Sequence, residues 1–501
     1  SLPRGRCFPP HWAIRESETF FRAEKSTLDS TIVIEFMMTP CYTDKESFPM
    51  QNDLTTGSVF RNVVSFSLPY LLSYFLQTLY GMADLFIIGQ YADASGTTAV
   101  SVGSQVMHML TVMIVGLAMG STVIIGRAVG ARHKDEIAKT VGNSVTLFMG
   151  LSIVLTIVLL LLVRPIVLLI QTPVEAIEGS IRYLTICFIG IPFITAYNII
   201  ASICRGMGDS KSPMYFIAIA CAANIALDYV FMGVLHLGAA GAALGTTLAQ
   251  TLSVIISLLM TKKQKLGIKL CKQDFIPSRA VLGEILKIGI PVAIQDGCIQ
   301  IAFIIITVIA NSRGLNDAAA VGIVEKVISA LFIVPSSMLA TVSALAAQNI
   351  GAGKHDRASK TLKYAILITF TYGIIVAIIG ELITAGIVGI FTKDAAVVVL
   401  GSQYLRGYIV DCALAGIHFC FSGYFCAYGK SYIGFIHNII AIICLRVPGS
   451  YLASKFFADT LFPMGLAAPA GSMLSVIICV CVFIWMKKHG HLGVSQIQDA
   501  A

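Results

Sequence analysis

From position 63 to position 486 the chain alternates between long apolar stretches and short polar ones. The apolar stretches cover about 63–90, 98–126, 141–163, 180–204, 214–234, 241–261, 287–310, 318–349, 362–391, 400–427, 433–457 and 464–486. A helix needs about 20 mostly apolar residues to cross the hydrocarbon of a bilayer. Each stretch meets that length, so the pattern predicts an all-α integral membrane protein with twelve transmembrane helices.

The polar gaps carry the orientation. One alternating set is rich in basic residues: Arg127, Arg132, Lys134 and Lys139; Arg205 and Lys211; Lys262 to Arg279; Lys354, Arg357 and Lys360; Lys430; Lys487 and Lys488. The other holds only Arg164, Arg313, Lys393 and Lys455. Basic loops stay in the cytoplasm, which predicts both termini there, as an even number of spans requires. The longest basic gap lies midway. It divides the chain into a first lobe over 50–261 with six spans, a cytoplasmic linker over 262–286, a second lobe over 287–487 with six spans, and a cytoplasmic tail over 488–501.

The two lobes resemble each other at one constant shift in position. Gly130-Ala-Arg-His-Lys-Asp matches Gly351-Ala-Gly-Lys-His-Asp, Tyr183-Leu matches Tyr404-Leu, and Gly208-Asp-Ser matches Gly429-Lys-Ser. Pro69 matches Pro291 to within one residue. Several matches at one shift indicate duplication. With six spans each, the halves share one orientation and are related by an axis along the membrane normal, an arrangement suited to a cleft between lobes with alternating access.

Composition agrees with this reading: 56% of residues are hydrophobic, 12% are charged and the mean hydropathy is +0.82. A soluble chain carries about 25% charged residues, so too little polar material is present for a water-facing shell. The net charge of +8 is a topology signal and gives no reason to expect nucleic acid. The thirteen cysteines show no spacing with histidine that suggests zinc; Cys187, Cys204, Cys221, Cys412, Cys420 and Cys444 fall in apolar runs as small packing residues. Residues 1–49 are mixed in charge and aperiodic, which predicts a disordered leader or a mis-annotated extension ahead of Met50.

Ionisable residues inside spans are costly and so mark function. The first lobe has Asp84 in its first span and Asn224 and Asp228 in its fifth, four apart and therefore on one helix face; Thr246 in the sixth adds a hydroxyl. Two carboxylates close together in a poorly solvated place cannot both ionise cheaply, so such a pair holds a proton. The same oxygens suit sodium, a hard cation. The bland alternative for Asp228 is a local hydrogen bond near its span's end. The second lobe offers Asp296, Glu325 and Asp411 as a candidate acidic site, and Glu381, which reads as structural. Glu325 also suits a simple ion pair with Lys326, and Asp296 a hydrogen bond with Gln295 or Gln300. His108, His418 and His437 are candidate proton relays or packing residues. Phe75, Tyr80, Tyr197 and Tyr229 are candidate cavity aromatics for organic cations. Pro69, Pro192, Pro291 and Pro335 fall inside spans and predict bends.

Several stretches carry a family resemblance: Asp53-Leu-Thr-Thr-Gly-Ser, Leu79-Tyr-Gly-Met-Ala-Asp, Arg205-Gly-Met-Gly-Asp-Ser-Lys-Ser-Pro-Met, Asn224-Ile-Ala-Leu-Asp, Gly238-Ala-Ala-Gly-Ala-Ala and Ala347-Gln-Asn-Ile-Gly-Ala-Gly-Lys. Spread from Met50 to Lys488, they resemble the multidrug and toxic compound extrusion (MATE) family, bacterial type. The resemblance implies two six-helix lobes about a V-shaped cavity; a monomer in the plasma membrane is the expected state. It implies export of small organic cations, driven by inward sodium or protons, with no other cofactor. Asp84, Asn224, Asp228 and Thr246 match the family's first-lobe cation positions, and the first three are the sodium ligands if sodium is the coupling ion. Asp411 matches a second-lobe acidic position of some branches. Those branches carry a Glu in the seventh span, where this chain reads Gln295-Asp-Gly-Cys-Ile, and Asp296 is out of that register. The alternatives are a lipid-linked saccharide flippase of the same superfamily, which usually has cationic cavity residues, and a membrane-embedded enzyme of the prenyl-transferase kind, which needs carboxylate clusters for magnesium and diphosphate. No glycine-rich phosphate loop is present for direct use of ATP.

Overall fold

The computed structural model describes residues 53–263 and 270–490; the expected leader over 1–49, part of the linker and most of the tail lie outside the described residues. All regular structure among them is helical. Twelve spans follow one another: α1 Val59–Tyr91, α2 Ala94–Ala131, α3 Lys134–Leu169, α4 Val174–Ile189 with Ile191–Gly206, α5 Lys211–Val234, α6 Gly238–Thr261, α7 Arg279–Asn311, α8 Leu315–Gly351, α9 His355–Gly389, α10 Ala395–Ala427, α11 Ser431–Phe456 and α12 Phe462–Lys488. The twelve-span fold expected from the sequence is therefore present, with α4 counted as one span bent by 48°.

Local chemistry sets the breaks. Asp93 caps α2 by accepting from Gly96 N–H at 2.9 Å, and Asp394 caps α10 by accepting from Ala396 N–H at 2.9 Å. The α4 bend falls at Gly190, just before Pro192, whose missing N–H and fixed φ suit a helix start better than a helix interior. Two spans contain π-helical turns, Tyr229–Val234 in α5 and Ile442–Arg446 in α11; such turns gather at functional positions. The turns between spans repeat as the sequence does. Gly208 (φ 91°) matches Gly429 (φ 70°), and Arg132 (φ 59°) matches Gly353 (φ 70°), both pairs left-handed and both at the shift that relates the lobes.

Large aliphatic side chains along α3 and α9, among them Ile157, Leu161, Leu367 and Leu382, are exposed. In a membrane they meet lipid, so exposure carries no penalty. The lobes meet chiefly where α2 crosses α7 and α8. The approach is close because it is built from glycines. A Cβ on Gly120 would collide with the carbonyl of Ile285, and one on Gly289 with the carbonyl of Leu117. Val63, Phe66, Tyr70 and Val123 of the first lobe share one buried cluster with Val292, Met338 and Leu345 of the second.

Among the described residues, every hydrogen bond that joins the lobes lies at the end bearing the basic loops. Lys354 Nζ donates to the carbonyl of Thr55 at 2.9 Å, Arg357 to the carbonyls of Thr56 and Gly57 at 2.9 Å each, and Gln348 to the carbonyl of Gly206 at 2.9 Å. The linker is fixed to the same end: Asn143 donates to Asp274 and accepts from the N–H of Ser278. The lobes are closed together on the basic side.

Candidate functional site

The first-lobe residues singled out in the sequence converge. Asp84 projects from α1, Asn224 and Asp228 from α5, and Thr246 from α6. Thr246 Oγ1 donates to Asp84 Oδ2 at 3.1 Å, and the Asn224 and Asp228 side chains face the same carboxyl. Asp84, Asn224 and Asp228 are all buried. Asp84 Oδ1, both polar atoms of Asn224 and both oxygens of Asp228 nevertheless have no hydrogen-bond partner within the protein. Leaving buried polar atoms unpaired costs about 1–3 kcal/mol each, more for charged groups, and hard oxygens so arranged can take a proton or a hard cation. Asp228 sits where the regular helix of α5 gives way to its π-turn. Gly245 lets α6 come this close, since a Cβ there would collide with Asp228 Oδ1.

Tyr80, Asn224, Thr246 and Gln250 line one narrow cleft beside the cluster. Tyr80 thus stands next to the carboxylates. Phe75 is half exposed on α1, and Tyr229 packs edge-on against Tyr91 at 6.3 Å. Tyr197 departs from expectation. It is buried in the first-lobe core and its hydroxyl donates to the carbonyl of Pro213 at 3.5 Å. Its position on α4 turns it inward among Phe148, Phe216 and Ile200, so it does not line a cavity.

The second-lobe acids separate. Asp411, at the break within α10, is buried, and neither of its oxygens has a partner within the protein. Glu325 on α8 accepts from Thr307 Oγ1 at 3.2 Å. Asp411 and Glu325 both face Arg446 of α11. Asp296 does not join them. It lies on the face of α7 that crosses α2, its carboxylate against Gly116 at the seam between lobes, and one helix face cannot serve both places. Glu381 pairs with Arg406 at 3.7 Å. His418 and His437 are buried with ring centroids 5.6 Å apart, and His437 Nε2 meets Ser422 Oγ at 2.9 Å; His108 is exposed. Cys444 is also exposed, unlike the buried Cys187, Cys204, Cys221, Cys412 and Cys420.

Arg446 escaped the sequence reading. Its signal was the one used for the acids, a charge in the middle of the apolar run 433–457, away from Lys455 near its end. Its guanidinium donates to Tyr408 Oη and lies over the rings of Phe303 (4.8 Å to the centroid) and Tyr408 (5.8 Å).

A chain of twelve apolar helical spans in two repeated lobes, with buried polar clusters inside the bundle, is a multi-pass membrane protein of the transporter type. The MatE family profile matches residues 69–230 and 291–452, and the chain belongs to that family. Similar proteins include the "Probable multidrug resistance protein YoeA" of Bacillus subtilis (26% identical over 464 residues, 91% of this chain and 98% of that one). The "Probable multidrug resistance protein YpnP" of the same organism is 28% identical over 438 residues, 87% of this chain and 97% of that one. The "Multidrug export protein MepA" of Staphylococcus aureus is 26% identical over 413 residues, 80% and 89%. Among solved structures, the outward-facing conformation of a multidrug resistance MATE family transporter of the MOP superfamily shares the fold with a TM-score of 0.82 at 23% identity, over 90% of this chain and 99% of that one. A MOP superfamily transporter from Pyrococcus furiosus shares it with a TM-score of 0.80 at 22% identity, over 89% and 98%.

Proposed function

We propose that this protein is a secondary antiporter of the cell membrane that exports small organic cations in exchange for inward sodium or protons. The observation that carries this reading is the convergence of Asp84, Asn224, Asp228 and Thr246, buried yet with most of their polar atoms unpartnered. Two carboxylates, an amide and a hydroxyl form a hard-oxygen set that takes either a proton or sodium. The names of the relatives, multidrug resistance and multidrug export, support the cargo class. With the basic loops in the cytoplasm, the two termini are cytoplasmic and the lobes are closed on the inner side. The cleft then opens outward, and rocking of the lobes about the α2 crossing exposes it alternately to either face. The protein works as a monomer, since each chain contains both lobes.

The test is purified protein in proteoliposomes loaded with a fluorescent organic cation, with sodium and pH gradients imposed separately. Efflux driven by one gradient alone supports the reading and identifies the coupling ion. Folded protein that responds to neither gradient overturns it and favours the lipid-linked saccharide flippase, a reading to which the buried Arg446 would then be relevant.

A further inference from the structure

Each lobe holds a buried polar cluster, but their acids stand on different spans: Asp84 and Asp228 on α1 and α5, Glu325 and Asp411 on α8 and α10. Arg446 lies on α11, the fifth span of the second lobe, as Asn224 and Asp228 lie on α5, the fifth span of the first. Where the first lobe has a neutral amide beside its carboxylates, the second has a guanidinium beside Asp411 and Glu325. This charge is held by two residues, Tyr408 through its Oη and its ring and Phe303 through its ring. Among the described residues neither acid forms a direct ion pair with it. Asp411 and Arg446, but not Glu325, line a cavity of about 30 Å³ together with His418, Asn438, Ser472 and Ser475 and apolar walls such as Phe332 and Ile442. Asp411 lies beside Ser472 but makes no hydrogen bond of ordinary geometry, and His418 Nδ1, Asn438 Nδ2 and Arg446 Nε are likewise buried without one. A space of that size holds about one or two waters, whereas drug-sized ligands need roughly 300 Å³ or more.

We propose that Arg446 is the resident cation of the second lobe. Its tethered guanidinium balances Asp411 across the small cavity and Glu325 outside it, and this lobe therefore takes no exchangeable coupling ion. A guanidinium is charged at every physiological pH and cannot leave. Among the described residues no Lys or Arg acts on the Asp84–Asp228 pair, so the charge on that pair is balanced by an ion that comes and goes. The contrast rests on the reading of the first lobe given above; the role of Arg446 is tested apart from it.

The experiment is chemical rescue of Arg446→Ala, read as thermal stability of the purified protein in detergent. Removing the tethered cation leaves carboxylates and a cavity that a free guanidinium ion can fill. Millimolar guanidinium chloride is expected to raise the Tm of Arg446→Ala by several degrees, with no such rise in the parent, in Arg446→Ala/Asp411→Asn, or with tetramethylammonium chloride. Equal responses of variant and parent overturn the proposal. If Arg446→Ala does not fold when made without the ion, recovery of folded protein in guanidinium but not in tetramethylammonium supports the proposal, and failure in both overturns it. A second arm uses radioactive sodium binding to the parent. Binding that survives Asp84→Asn/Asp228→Asn and is lost in Asp411→Asn overturns the resident-cation role. Absence of binding at the first lobe, with guanidinium rescue intact, sinks only a sodium-binding role for that lobe.

Discussion

Arg127 of the first lobe binds Ala427 of the second: its guanidinium donates from Nε at 2.9 Å and from Nη2 at 2.7 Å to that main-chain carbonyl. The shift that carries Gly130 onto Gly351 also carries Arg127 onto Gln348 and Gly206 onto Ala427. Gln348 donates to the carbonyl of Gly206 at 2.9 Å. Gly130 and Gly351 make the same exchange, since a Cβ on the first would collide with the carbonyl of Gln348 and one on the second with that of Arg127. The seam thus uses one set of contacts twice. Breaking one of its hydrogen bonds to a charged group removes about 1.5–3 kcal/mol. Arg127→Ala is therefore expected to loosen the basic end. Spin labels at positions 60 and 364, whose rings are 5.7 Å apart in the parent, report it through a broadened, longer distance distribution. An unchanged distribution would remove Arg127 from the clamp.

Asp84 is the first-lobe carboxylate that Thr246, Asn224 and Asp228 all face. Asp84→Asn keeps the shape and removes the charge. Gradient-driven export in proteoliposomes is expected to fall at least tenfold, about 1.4 kcal/mol, with unchanged expression and thermal stability. Export at the parent rate would take Asp84 out of the mechanism.

Gly245 is required by the closeness of α6 to Asp228. Gly245→Ala forces Asp228 or the α6 backbone to move, and overpacking of this kind costs about 1–3 kcal/mol. A lower Tm together with lost export is expected. A variant with parent Tm and parent export would mean that the cluster is looser than its geometry.

Asp53 precedes α1 on the basic side and accepts from Thr55 N–H at 2.8 Å and Thr55 Oγ1 at 2.6 Å, with Arg132 3.6 Å away. Partial burial raises the pKa of this carboxyl, but Thr55, Arg132 and Lys354 together hold it below its ordinary value of 3.8. A lowered folded-state pKa stabilises the fold above the unfolded value, and that contribution is lost as pH falls through the lowered one. Asp53→Asn is thus expected to lower the Tm near neutral pH. Its deficit against the parent should stay constant from pH 8 to about pH 5 and shrink only in stronger acid. A deficit that changes between pH 6 and 8 would contradict this.

The spans were legible in the sequence because a bilayer demands about twenty apolar residues from each helix, whatever its neighbours. Asp84, Asn224, Asp228 and Thr246 were legible as well, because a polar side chain in such a run has few structural excuses. Geometry between helices was hidden. Asp296 and Asp411 look alike as isolated acids, yet one lies on a helix face taken by the seam with α2 and the other faces Arg446. Tyr197 looked like a cavity aromatic because nothing local shows which side of α4 meets the core. Gly245 matters only through the residue opposite it.

The reciprocal seam also bears on the history of the chain. A surface that meets its own duplicate by swapping partners, Arg127 to Ala427 and Gln348 to Gly206, has the self-complementarity of a two-fold homodimer. An ancestral chain of six spans could have formed it before the two copies were joined by a linker. Fusion then freed each half from having to serve as its own partner, and the asparagine and aspartate of α5 against the arginine of α11 record where the descendants ceased to be interchangeable.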